Sequence, residues 1–230
     1  MSTNIRLTDT RVSFGLAFIG GYGDAASFVL AKAFTGHVTG NLVLGAIAVA
    51  AQDWRALLGD VSAIVTFLLG VVLSVLIARP LKAWPSWPLL PTIMGIEVIL
   101  IVGAALALAS GMAPRVEIFV IFVSLALGLQ NGAFRRAGGV SVHTTYLTGM
   151  ITSVISTEAE KYSSGSPAPV GIPDQKIGLL CRIWIAFVLG AGIGAAMVFH
   201  FGEFGMLGAA VLLIALILYT VISSPMGLTT

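Results

Sequence analysis

Two carboxylates stand deep inside apolar runs: Asp24 in GGYGDAASF and Glu97 in IMGIEVILIV. An ionised acid at the centre of a membrane helix costs roughly 2.5–3.5 kcal/mol on insertion scales, so each must meet a cavity, a partner or a proton. A titrating Asp24 could couple protons or cations or touch a solute. The alternative is a structural hydrogen bond to a neighbouring helix, with Asn131 or a hydroxyl as partner. Glu97 is far cheaper to bury protonated and could relay protons or bond a carbonyl. A second group of polar residues surrounds two Thr-Gly pairs. His37, Thr39 and Asn41 flank Thr39-Gly40, and Thr144, Thr145, Tyr146 and Thr148 flank Thr148-Gly149, with Gln130 and Asn131 upstream. At the start of a short helix such hydroxyls and amides, beside free N–H donors, can hold an anionic or polar solute. They can also do no more than cap the helix. His143 and His200 lack paired ligand spacing and Cys181 is the single cysteine, so no metal, cofactor or disulfide is expected. With no H-e-x-x-H or G-x-S-x-G motif and no Ser/His pair at matched depth, an enzyme is not expected either.

The elements that must position these residues are membrane helices. Of 230 residues, 57% are hydrophobic and 10% charged, against about 25% charged in soluble domains. The apolar runs are continuous, so helices and not barrel strands are predicted. A net charge of +2 gives no reason to expect a nucleic-acid partner; the partner is the lipid bilayer. Six runs can cross: roughly Ser13–Ala33, Asp60–Arg79, Leu89–Ser110, Val116–Phe134, Ile177–Phe199 and Phe204–Ser223. Two shorter ones, Thr39–Ala51 and Thr144–Thr157, reach only ~20 Å and read as broken or re-entrant. That arrangement puts Arg6, Arg11, Arg79, Lys82, Arg135, Arg136, Lys161, Lys176 and Arg182 in the cytoplasm. It leaves only Lys32, Arg55 and Arg115 outside, as the positive-inside rule favours. Both termini are then cytoplasmic. Full crossing by both short segments would weaken this asymmetry. Trp84 and Trp87, among four prolines, predict an interfacial turn. The Ser/Gly/Pro-rich stretch 162–174 predicts a flexible cytoplasmic loop.

The chain also looks like two copies of one unit. Thr39-Gly40 recurs as Thr148-Gly149, GGYGDAASF resembles GLQNGAF so that Asp24 answers Asn131, and FLLG (67–70) recurs as FVLG (187–190). The repeats cover approximately 13–112 and 115–224 of a single 1–230 transmembrane domain. Each holds span, short segment, span and span. Three crossings is odd, so the second copy is inverted, the arrangement in which a transporter site lies at the repeat interface. The small residues of Gly190-Ala191-Gly192-Ile193-Gly194 predict close helix contact, and such faces could also serve a homodimer.

At these residues the chain resembles a known family. GYGDAASFVLAKAFTGHVTGNLVLGAIA (Gly21–Ala48) and GLQNGAFRRAGGVSVHTTYLTGMITSV (Gly128–Val154) are similar to the signature blocks of YoaK-like bacterial inner-membrane proteins, a domain of unknown function. The resemblance covers essentially the whole chain and implies a small multi-helix protein of the inner membrane. It supplies no substrate. The departure at Gly23, where an apolar residue is common in the family, suggests closer packing or a local break. The expected function is a secondary transporter or permease for an unknown small solute held between the two Thr-Gly segments, with protons coupled by Asp24 or Glu97. A passive channel and a non-transporting membrane scaffold are the alternatives.

Overall fold

The computed structural model describes residues 7–81, 88–134, 136–137, 140–141, 147–164 and 174–223. These form α1 (Leu7–Ala31), α2 (Val38–Ala50), α3 (Trp54–Leu81), α4 (Leu89–Ala109), α5 (Arg115–Ala133), α6 (Leu147–Ser164), α7 (Asp174–Phe201) and α8 (Leu207–Ser223). A 3-10 turn (Gly202–Met206) joins the last two helices. A small antiparallel hairpin, β1 (Arg136–Ala137) with β2 (Val140–Ser141), follows α5. Five stretches are long and apolar enough to cross a membrane: Thr10–Ala31, Trp54–Pro80, Leu89–Ala109, Arg115–Ala133 and Ile177–Ser223. The last of them runs through α7, the turn and α8. Their outer faces are apolar: Leu58, Val65, Leu68, Val72 and Leu76 of α3 are all exposed, as are Leu42, Val43 and Ile47 of α2. Water would not tolerate such a continuous surface; lipid does.

Helix ends follow local chemistry. Lys32 and Gln52 take left-handed backbone conformations (φ 61° and 58°) that stop α1 and α2. Asp53 Oδ1 accepts the Ala56 N–H at 3.0 Å, capping α3 and starting it at Trp54, six residues ahead of the predicted span. α6 continues past Thr157 through a polar turn in which Lys161 pairs with Glu158 at 2.8 Å. Residues 162–164, the opening of the expected loop, therefore belong to α6. Residues 165–173 and the turn at Trp84 and Trp87 lie outside the described residues.

Two helix crossings organise the bundle, and both are made by glycine. α1 lies on α7 so closely that a methyl group added at Gly21 would overlap the Phe187 carbonyl. One added at Gly190 would overlap the Phe18 carbonyl. α3 lies on α5 in the same way: Gly128 abuts the Phe67 carbonyl and Gly70 the Leu125 carbonyl. Gly194 against Tyr22 and Gly132 against Ser74 extend the two contacts. Advancing along α1 from Phe18 to Tyr22 advances along α7 from Gly190 to Gly194, so these helices run the same way, and α3 and α5 agree likewise. α1 runs against α3 and α5, because its C-terminal end meets their N-terminal ends at one cavity lined by Lys32, Arg55 and Glu117. Gln130 Nε2 donates to the Leu16 carbonyl at 3.1 Å and ties α5 to α1. α4 packs on α5 and α8. Tyr22, Phe119, Leu16, Met94, Ile101, Leu127 and Met206 fill the centre, each fully buried, and the Tyr22 hydroxyl donates to the Gly205 carbonyl.

The connection from α1 to α2 folds back on α1. Phe34 stacks on Phe28 with ring centroids 4.5 Å apart, and His37 reaches Asp24. Asp24 lies seven residues before the end of α1, ~10 Å along the helix axis. α2 therefore starts well below Lys32 and climbs beside α3, with Gly45 facing Leu57 and Asp60, to end next to Asp53.

Candidate functional site

The fold-back makes a clamp around Asp24. The carboxylate is 3% exposed. Its Oδ1 accepts the backbone N–H groups of Thr35 at 2.9 Å and Gly36 at 2.8 Å, and its Oδ2 pairs with His37 Nδ1. A two-residue N–H nest with an imidazole gives both carboxylate oxygens a partner. Asn41 closes the turn from the α2 side: its Oδ1 accepts the Phe34 N–H at 2.9 Å and its Nδ2 donates to the Phe34 carbonyl. Thr35 Oγ1 lies 3.1 Å from Ser27 Oγ. The His37 ring contacts Phe187 edge-on at 5.7 Å, which brings α7 to the clamp. His37 immediately precedes α2 and delivers its ring to the acid from that end. The positive end of α2 is thereby answered from within the chain.

Glu97 has the opposite surroundings. It is fully buried in α4 between turns carrying Met94 and Ile101, and among the described residues neither carboxylate oxygen has a hydrogen-bond partner. The Ser124 hydroxyl on α5 is likewise buried without a partner. In an apolar span an unpaired carboxyl group is stable only with its proton on.

The remaining predicted residues are dispersed. Thr39 and Thr148 are exposed, and among the described residues α2 and α6 share no extended contact. Thr145 lies outside the described residues. Asn131 is buried on α5, where its Nδ2 donates to the Leu127 carbonyl at 3.1 Å. Asp24, His37 and Asn41 thus converge with Thr35, Gly36 and Ser27; Glu97, Gln130, Thr39 and Thr148 stand apart from that clamp. Among the described residues no three His, Cys, Asp or Glu side chains converge as metal ligands. One residue escaped the sequence reading: Asp60, which marks a span boundary there, is 3% exposed inside α3 and lines a cavity. Asp53 as a helix cap, with Trp54 as the first helical residue, is the signal that places Asp60 well inside the helix.

Long apolar helices with lipid-compatible outer faces define a polytopic α-helical membrane protein. Residues 12–220 match the family described as a protein of unknown function, DUF1275, and the chain belongs to that family. It is similar to the UPF0700 transmembrane protein YoaK of Bacillus subtilis (strain 168), with 29% identity over 129 residues. That match covers 55% of this chain and 56% of the relative, so the chain spans little more than half the length of the curated relative it matches. No solved structure matches it.

Proposed function

We propose that the protein is a small-solute secondary transporter of the bacterial inner membrane, built from two inverted repeats, with Glu97 as its proton-coupling group. The observation that carries this reading is the pair of glycine crossings. Gly21 on Phe187 and Gly190 on Phe18 have the same construction as Gly128 on Phe67 and Gly70 on Leu125. The lead helices of the two crossings, α1 and α5, run in opposite directions. Equivalent contacts between oppositely directed units support an axis in the membrane plane, the symmetry that lets one structure open to either side. The repeats then supply six crossings, with α7 and α8 as the last two, and both termini lie in the cytoplasm. α2 is re-entrant: it begins mid-membrane at the Asp24 clamp and returns to the outer face.

Asp24 is the weaker coupling candidate because its acceptors are already engaged. Proton loss from Glu97, which nothing compensates, would change the energy of the surrounding packing most. The test is uptake of a solute panel into proteoliposomes holding the full chain under an imposed pH gradient. Uphill accumulation of one solute class is expected. Glu97→Gln should abolish the pH-driven component and keep solute exchange, while Asp24→Asn should keep both if it folds. Equilibration without accumulation would make the protein a channel, and absence of flux would end the transport reading. Undiminished accumulation in Glu97→Gln would remove Glu97 from the mechanism.

A further inference from the structure

Where the C-terminal end of α1 meets the N-terminal ends of α3 and α5, the bundle forms an open cavity of about 360 Å³. Its charged lining is Lys32, Asp53, Arg55, Asp60 and Glu117. Four of these have a visible occupation. Arg55 Nη2 stands 3.7 Å from Glu117 Oε1, so that pair cancels. Asp53 caps α3 through the Ala56 N–H and faces the positive end of that helix. The Lys32 ammonium lies 5.9 Å from the centre of the Phe28 ring.

Asp60 has no such occupation. It is 3% exposed, and among the described residues it has neither an ion-pair nor a hydrogen-bond partner. Gly45 of α2 faces its Cβ, at ordinary contact distance for an added methyl. The rest of the lining, including Leu30, Val116 and Val120, is apolar. The cavity therefore combines one uncompensated buried acid with apolar walls and a mouth whose charges cancel among themselves.

We propose that this cavity is a binding site for a small organic cation, a primary ammonium on a short alkyl stem, with the N–H donors meeting the Asp60 carboxylate. The volume is at the low end of small-molecule pockets. A compact ammonium supplies the three donors and the positive charge that Asp60 lacks. A divalent metal would need several more oxygen ligands converging than one carboxylate provides. Such binding does not depend on transport.

The test uses the full chain in nanodiscs and n-butylammonium as the probe, with binding followed by saturation-transfer NMR at fixed pH. Neutral n-butanol and anionic n-butyrate serve as controls. Saturable millimolar-range or tighter binding of the ammonium alone is expected. Asp60→Asn should weaken it about tenfold or more, the effect of losing one charge-assisted hydrogen bond. Ala56→Trp, at an exposed position of the lining, should block entry without touching the acid and covers the case in which Asp60→Asn fails to fold. Absence of saturable binding by the parent, equal binding of butanol, or unchanged binding in either folded variant would overturn the proposal.

Discussion

Asp24 and Glu97 are both acids buried in spanning helices, and the chain treats them in opposite ways. Around Asp24 the backbone has been bent to deliver two N–H groups and an imidazole to one carboxylate. Around Glu97 no described residue offers a hydrogen bond to either oxygen. Depth in the membrane is thus a poor guide to how well an acid is satisfied; the number of donors the chain delivers to it is a better one. The first acid holds a fold together, and the second is a cost that the fold carries.

The largest expected effect breaks this contrast directly. Asp24→Leu strands the Thr35 and Gly36 N–H groups and the His37 ring, and should cost roughly 3–5 kcal/mol, the penalty for breaking a buried charge pair. Glu97→Leu removes an unsatisfied polar group from an apolar site and should leave stability unchanged or raise it by about 1 kcal/mol. Thermal unfolding of both variants in detergent decides the matter; equal destabilisation by the two would erase the distinction.

The next effect is at the crossings. Gly190→Ala and Gly128→Ala place a methyl on a carbonyl of the facing helix and should each cost about 1–3 kcal/mol. Gly192→Ala, with nothing within 4 Å, should be neutral. Melting temperatures that fail to separate Gly192 from the other two would show that the close approach is not what positions the clamp and Glu97.

The smallest effect comes from His37, one of three partners of Asp24. His37→Gln keeps a donor within reach of the carboxylate and should cost about 1 kcal/mol, read as a small fall in melting temperature. A loss as large as that of Asp24→Leu would mean that the imidazole, and not the pair of backbone N–H groups, holds the clamp.

Much of this architecture is written in local residue types. Apolar runs locate the long helices, because length and composition alone decide whether a segment can enter lipid. The echo of FLLG in FVLG, and of Gly21 in Gly128, marks the residues that make both crossings, since only glycine permits backbone contact there. The depth of Asp24 was also legible. Its partners were not: the sequence suggests Asn131 or a hydroxyl, whereas the acid turns to backbone N–H groups that carry no side-chain signature. Asp60 was missed for a similar reason, since whether it caps a helix or lies inside one depends on where α3 begins. The sequence reading pairs Thr39 with Thr148 as repeat counterparts, yet both residues are exposed.

The clamp also bears on the order in which the protein can be made. α1 finds its main neighbour in α7, which begins at Asp174 and is synthesised long after α1 has left the ribosome. Every group that satisfies Asp24 lies within the next thirteen residues of chain. A hairpin of α1 and α2 can thus shield the acid on its own while the glycine face of α1 waits, uncovered, for the second half to arrive.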